Sequence, residues 1–253
     1  RAIFAVNPRQ YARALHRGRV VLIRLIEILL VLCAVTTQTG DLADDTQALW
    51  TRPNAVGLAA GGSLATFAHR QQDDWQEELR GAWYIEHPSQ ITDVYGSSSF
   101  LLPAALASQV AGNAANRVLL QRTGRGLTRT LILTQLVVGP IKLAVQRRRP
   151  DGSDQYSFPS GHTANTFAIA RYVQRDFGTP SSLLPYALAV TTAMGRIEGG
   201  RHYLSDVLMG GSLGLIVGST VHLDEHGSAQ QTRLRLVPMS DPASGLRLVL
   251  PLH

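Results

Sequence analysis

The sequence predicts an all-α protein: a compact helical bundle carrying a small β-hairpin at its C-terminus. Long segments rich in Ala, Leu and small residues recur along the chain, and strand-like alternation is confined to the last 22 residues. Gly and Pro mark the joints, as at Gly124, Gly126, Pro150, Gly178, Pro180, Gly199 and Gly200. With 45% hydrophobic and 17% charged residues over 253 positions, the chain is too apolar to be disordered and long enough for one sizeable core.

Taken in order, residues 17–40 read RGRVVLIRLIEILLVLCAVTTQTG, with Arg17, Arg19 and Arg24 ahead of an apolar stretch and a small polar exit. This is the layout of a secretory signal or signal anchor, so 1–36 is expected to be a leader; an amphipathic core helix with an Arg24/Glu27 pair is the alternative. Leu32 precedes Cys33 where a lipobox needs a small residue, and a single cysteine excludes a disulfide framework or a multi-cysteine metal site. A polar stretch around Asp41 to Asp45 follows. The helical segments are then expected near 54–69, 99–120, 127–146, 162–176, 183–195 and 203–222, within a domain spanning 37–230. In the tail, 231–253, TRLRLVP and GLRLVLP flank MSDPAS, which predicts a hairpin, with a loosely ordered tail as the alternative.

A membrane span needs about 20 apolar residues. The segment from His162 meets Arg171, Arg175 and Asp176 too early, and 99–120 carries Ser108, Gln109, Asn113, Asn116 and Arg117. A bundle that is soluble or rests on a membrane surface is therefore expected. The charge-free stretches 177–195 and 207–223 keep a multi-span protein as the alternative.

The net charge of +6 comes from 24 Lys+Arg against 18 Asp+Glu. Residues 1–36 hold six arginines and one glutamate, so the rest is nearly balanced. With 6% aromatics there is little to stack on bases, and nucleic acid is excluded as the expected partner. The remaining positive charge is local, and Lys142, the lone lysine, belongs to it.

Three groups of residues carry chemistry. Lys142 and Arg149 end an apolar segment before Pro150; seven apart, they would share a helix face, with Arg147 and Arg148 at the same end. Ser157-Phe158-Pro159-Ser160-Gly161-His162-Thr163 leads into ANTFAIA, where a turn before a helix N-terminus offers free N–H groups and the Ser160 hydroxyl to an anion. His162 lies in the first turn. Finally, Arg196-IEGGR-His202-YLS-Asp206 places His202 and Asp206 four apart, so the carboxylate would hold one ring nitrogen and leave the other as nucleophile or base. Each group alone has a bland reading: a solvated charged helix end, an N-cap beside a surface histidine, an ordinary helix pair.

In this order and spacing, Lys142, Arg149, Pro150, Pro159, Ser160, Gly161, His162, Arg196, His202 and Asp206 resemble the signature of the type 2 phosphatidic acid phosphatase (PAP2) superfamily, which also holds bacterial acid phosphatases and vanadium haloperoxidases. The resemblance covers 142–206, about a quarter of the chain, and implies an α-helical bundle. It implies that Lys142, Arg149 and Arg196 hold phosphate oxygens, with Ser160 and the Gly161 amide completing the cradle. By the same resemblance His202 attacks phosphorus to give a phosphohistidine, Asp206 orients it, and His162 protonates the leaving oxygen and then activates water. Such chemistry rests on positioning and positive charge; no metal cluster or other cofactor is expected, with vanadate acting as a phosphate mimic. Gly195 stands where the family usually has serine, and Arg147, Arg148 and Arg201 fall outside the pattern, either adding affinity for anionic head groups or staying solvated.

The expected function is a metal-independent phosphatase acting on monoesters or diphosphates, with lipid phosphates such as phosphatidate or polyprenyl diphosphate favoured. A vanadate-dependent haloperoxidase and a non-catalytic phosphate- or lipid-binding protein are the alternatives. The expected location is exported, in the periplasm or cell envelope, with contact to a membrane surface.

Overall fold

The computed structural model describes residues 38–71, 88–221, 235–238 and 246–249. The expected leader, 1–36, lies outside them. The chain divides into two units, Arg1–His222 and Leu223–His253. The described helices belong to the first: α1 (Thr39–Ala48), α2 (Arg52–Arg70), α3 (Pro88–Tyr95), α4 (Ser98–Ala114), α5 (Val118–Val145), α6 (Gly161–Phe177), α7 (Thr179–Glu198) and α8 (Leu204–Thr220). In the second, Arg235–Pro238 pairs antiparallel with Leu246–Val249, Leu236 opposite Leu248 and Val237 opposite Arg247. The predicted all-α bundle and its hairpin are both present.

Local chemistry sets the helix ends. Thr51, Ser97 and Ser160 are N-caps whose hydroxyls accept from the backbone N–H three residues on. Gly178, at φ 85°, separates α6 from α7, and Pro180 opens α7 where its missing N–H costs nothing.

α6 lies between α7 and α8, with α5 across it. Its small residues Ala164, Ala168 and Ala170 are fully buried. On α8, Gly210, Gly214 and Gly218 recur every fourth residue against this helix, and a Cβ at each would stand 2.4, 2.4 and 2.3 Å from the carbonyl oxygens of Ser160, Ala164 and Ala168. Only glycine allows that approach, which brings the start of α8 beside the start of α6.

Several elements differ from expectation. The segment expected at 99–120 breaks at 115–117, where Asn116 takes φ 52° and the Arg117 N–H donates to Gly112 O. Gly124 and Gly126 are not joints; both lie inside α5, where a Cβ would meet the Gln109 nitrogen at 2.3 Å and the Tyr172 hydroxyl at 2.1 Å. The stretch around Asp41–Asp45 is helical because its carboxylates have partners on α5. Arg125 reaches Asp41 at 2.6 Å, and Arg129 grips Asp45 through Nε at 2.8 Å and Nη2 at 2.7 Å. Lys142 and Arg149 do not share a helix face. α5 ends at Val145 with Gln146 left-handed at φ 48°, and Arg149, directly before a proline, is held off helical geometry.

Candidate active site

Three parts of the chain meet at one end of the bundle: the connector 146–160 between α5 and α6, the first turn of α6, and the connector 199–203 between α7 and α8. The first is folded on itself, with the Arg149 N–H donating to Asp154 O and the Ser157 N–H donating to Arg147 O. The last begins where α7 stops, its Arg201 and His202 N–H groups both donating to the Arg196 carbonyl.

His202 is 1% exposed. Its Nε2 lies 3.1 Å from Arg149 Nη1, and its Nδ1 lies 2.6 Å from the Ser157 carbonyl oxygen. A guanidinium only donates and a carbonyl only accepts, so Nδ1 carries the proton and Nε2 presents its lone pair toward Arg149. Burial, with the charges of Arg149 and Lys142 added, pushes His202 down to about 3, so the ring is neutral at pH 7.

Asp206 does not hold the ring in the expected way. His202 precedes α8 rather than lying on it, and Asp206 Oδ2 stands 3.7 Å from Nδ1, beyond hydrogen-bond distance. The fully buried carboxylate instead accepts from Arg147 Nη1 at 2.6 Å, from the Tyr203 N–H at 2.9 Å and from the Ser157 hydroxyl. Burial alone would raise its pKa; His202, Arg147, Ser157 and the Tyr203 amide outweigh burial and hold it below the ordinary value.

Of the phosphate-binding candidates, Arg149 touches the His202 ring. Arg149 Nε donates to Asp154 at 2.7 Å and Nη1 to the Arg201 carbonyl at 3.0 Å, fixing the fork. Lys142 Nζ donates to Tyr156 O at 2.6 Å, and its Cε would stand 3.7 Å from a Cβ on Gly161. Arg196, in the last turn of α7, is 2% exposed; its Nη1 pairs with Asp93 of α3, and its buried Nε has no partner among the described residues. Gly195 before it is buried. Ser160 is buried with its hydroxyl 2.9 Å from Thr163 Oγ1, and its N–H donates to Asp206 O. His162 Nε2 lies 3.3 Å from the Asp93 carbonyl. Burial first, then Arg149, Lys142 and Arg201, lower His162 to about 4.

A cavity of about 580 Å³ is lined by Asp93, Phe100, Arg149, His162, Arg196 and Arg201 among others; Lys142, Ser160 and His202 do not line it. Arg201 pairs with Asp151 at its rim, and Arg148 is exposed. Among the described residues, no group of three or more His, Cys, Asp or Glu is placed to hold a metal ion. The arrangement can therefore grip an anion among the guanidinium groups of Arg149, Arg196 and Arg201, one of which, Arg149, is in contact with the neutral, buried His202 ring.

Sequence reasoning missed three participants. Asp93 lies on a short helix that was not predicted, and nothing in the sequence signals it. Ser157 stood in the quoted motif without a role. Arg147 was noted, but turns toward Asp206 rather than toward solvent or the cavity over His162 and Arg196.

The fold and these motifs define a class. The family model of the PAP2 superfamily matches residues 125–227. The chain is 30% identical over 156 residues to phosphatidylglycerophosphatase B of Bacillus subtilis, covering 55% of this chain and 74% of that protein. It is 42% identical over 80 residues to lipid A 1-phosphatase of Porphyromonas gingivalis, covering 30% of this chain. Over 100 residues it is 40% identical to decaprenylphosphoryl-5-phosphoribose phosphatase of Mycobacterium tuberculosis, covering 36% of this chain. The chain spans 18% and 54% of the lengths of the last two. It belongs to the PAP2 superfamily.

Proposed function

We propose that this chain is a phosphatase that hydrolyses lipid phosphates, monoesters or diphosphates of the phosphatidate or polyprenyl type, without a metal and through a phosphohistidine on His202. The observation that carries this reading is the buried, neutral His202, whose Nε2 lone pair faces the fixed Arg149 guanidinium.

In the proposed reaction, Lys142, Arg149 and Arg196 take the non-bridging oxygens, with Ser160 and the Gly161 amide alongside. His202 Nε2 forms the bond to phosphorus as the bond to the leaving oxygen breaks, and His162 gives that oxygen a proton. His162 is neutral in the empty site; the arriving phosphate, an opposite charge, raises its pKa toward the protonated form. His162 then takes a proton from water, whose oxygen displaces His202 from phosphorus. Inorganic phosphate leaves and both histidines return to their starting states. Asp206 acts by keeping the His202 surroundings fixed.

The lipid class is supported by the surface. Large apolar side chains stand exposed on α2 (Val56, Phe67), α5 (Leu119, Leu143) and α7 (Leu183, Leu184), and Trp50 is 87% exposed. α5 is long and apolar enough to cross a membrane, and the three relatives are named for lipid-linked phosphates. We place the protein at a bilayer, exported to the periplasm or cell envelope.

The test is phosphate release from phosphatidate, polyprenyl diphosphate and p-nitrophenyl phosphate by the wild type and by His202→Ala. Loss of activity in the variant, inhibition by vanadate and indifference to EDTA are expected. Unchanged release by His202→Ala overturns the mechanism, EDTA sensitivity overturns its metal independence, and vanadate-dependent bromide oxidation without phosphatase activity overturns the reading.

A further inference from the structure

Arg147 lies outside the ten residues that carry the family resemblance, yet it binds Asp206 directly. Its Nη1 donates to Asp206 Oδ1 at 2.6 Å and to Ser205 Oγ at 2.7 Å, its Nη2 lies 3.1 Å from His69 Nδ1, and the guanidinium carbon stands 4.2 Å from the Tyr203 ring centre. These partners come from α2, from the 199–203 connector and from the first turn of α8. Arg147 does not line the cavity over His162 and Arg196. It borders a separate cavity of about 330 Å³ behind Asp206, with Phe158, Met209 and α2.

The contacts continue from Arg147 to the nucleophile. Asp206 accepts from Arg147 on one oxygen and from the Ser157 hydroxyl on the other, and the Ser157 carbonyl accepts the His202 Nδ1 proton. A carboxylate gripped on one side by a cation has no freedom to turn away from Ser157 on the other. We propose that Arg147 is a positioning residue for the reaction proposed above: through Asp206 and Ser157 it fixes the ring of His202 with Nδ1 protonated and the lone pair on Nε2, beside Arg149.

This inference rests on the proposed phosphatase reading. It also separates two roles for basic residues at this end of the bundle, because Arg149 faces the substrate and Arg147 faces away from it. Loss of Arg147 should therefore slow the chemical step and leave anion binding intact.

The charged and titratable groups facing Asp206 are Arg147 from the 146–160 connector, His202 and Tyr203 from the 199–203 connector, and, by its field, Lys142 from α5, with His69 of α2 behind Arg147. Removing the Arg147 charge withdraws the main cation in contact with the carboxylate, so Asp206 protonates at higher pH.

The experiment uses the full chain in detergent micelles. For Arg147→Gln, kcat should fall about a hundredfold while KM and the vanadate inhibition constant stay within twofold, and the acid limb of the kcat/KM profile should move to higher pH. Arg147→Lys keeps the charge but loses the fork; it should restore the acid limb and recover part of kcat. A role confined to folding would change the melting temperature without moving the acid limb. If Arg147→Gln does not fold, Arg147→Lys decides through its kcat at unchanged vanadate affinity. Nitrogen NMR of labelled histidines, with His202→Asn for assignment, supplies a readout independent of turnover: a single Nδ1–H tautomer in the wild type and a mixture in a folded Arg147 variant. Wild-type kcat and tautomer in a folded variant overturn the proposal, as does weaker vanadate binding at unchanged kcat. A wild type that releases no phosphate but shows the tautomer change overturns the phosphatase reading and leaves the positioning intact.

Discussion

Arg149→Lys keeps the charge of the cradle and removes its shape. In the wild type, Nε is tied to Asp154 at 2.7 Å and Nη1 to the Arg201 carbonyl at 3.0 Å, which leaves the rest of a planar fork directed past His202 Nε2 at 3.1 Å. A lysine ammonium carries its donors on one atom and cannot hold Asp154 and the Arg201 carbonyl while also reaching a phosphoryl oxygen. Two charge-assisted hydrogen bonds are therefore lost in the transition state. At the low end of about 1.5 kcal/mol each this is about 3 kcal/mol, or roughly 150-fold in kcat/KM. The assay is steady-state phosphate release from phosphatidate in mixed micelles and from p-nitrophenyl phosphate. Both substrates should show the loss, because the fork meets the phosphoryl group they share. Thermal melting should change little, since Asp154 is substantially exposed and its pair with Arg149 contributes under about 1 kcal/mol. A variant within threefold of the wild type on both substrates would refute Arg149 as a shaped phosphate ligand.

Four further outcomes follow from the same geometry. Asp93→Asn removes the carboxylate that pairs with Arg196 in the empty site, so inorganic phosphate should inhibit several-fold more strongly; an unchanged or weaker inhibition constant counts against Arg196 as a phosphate ligand. Arg129→Met leaves the buried Asp45 without its bidentate partner and should cost about 3–5 kcal/mol by denaturant unfolding, whereas Arg125→Met, opposite a partly exposed Asp41, should cost under about 1 kcal/mol. Gly126→Ala drives a methyl into the buried Tyr172 ring, for about 1–3 kcal/mol of destabilisation. Finally, both histidines bind protons less readily when folded than when unfolded, so their stabilisation is present above the ordinary value of 6.5 and drains away as pH falls toward about 4 for His162 and about 3 for His202. Each removes at most about 1.4 kcal/mol per pH unit in its window. Melting temperature followed from pH 7 to 4 should fall, with a shallower slope in His202→Asn; a rise on acidification would contradict the burial of both rings.

What was legible in the sequence, and what was not, divides by distance along the chain. The Ser160 N-cap and the helix after it could be read because one short stretch, PSGHTANTFAIA, contains the turn, the cap and the apolar run. The aspartates of α1 read only as a polar stretch because their partners lie 84 residues further on, where Arg125 and Arg129 are hidden in an apolar segment. The pairing of Asp93 with Arg196 spans 103 residues and left no local trace. Gly124 and Gly126 looked like joints because a glycine that makes room for a neighbouring helix is indistinguishable, in one dimension, from one that turns the chain.

The spacing of Lys142 and Arg149 shows how a periodic reading can go wrong while both residues still lie at one end of the bundle. Seven residues suggested two turns of one helix face, yet the helix stops at Gln146 and the connector doubles back, with Ser157 bonded to Arg147 and Asp154 to Arg149. Lys142 reaches the site from the helix, while Arg149 reaches it from the connector. The seven-residue spacing therefore spans the end of α5 and the turn that brings the Arg149 guanidinium to His202. The same turn leaves Arg147, two residues earlier, facing Asp206. A periodic reading could place two cations on one helix face, but the turn in the connector puts Arg149 against His202 and Arg147 against Asp206.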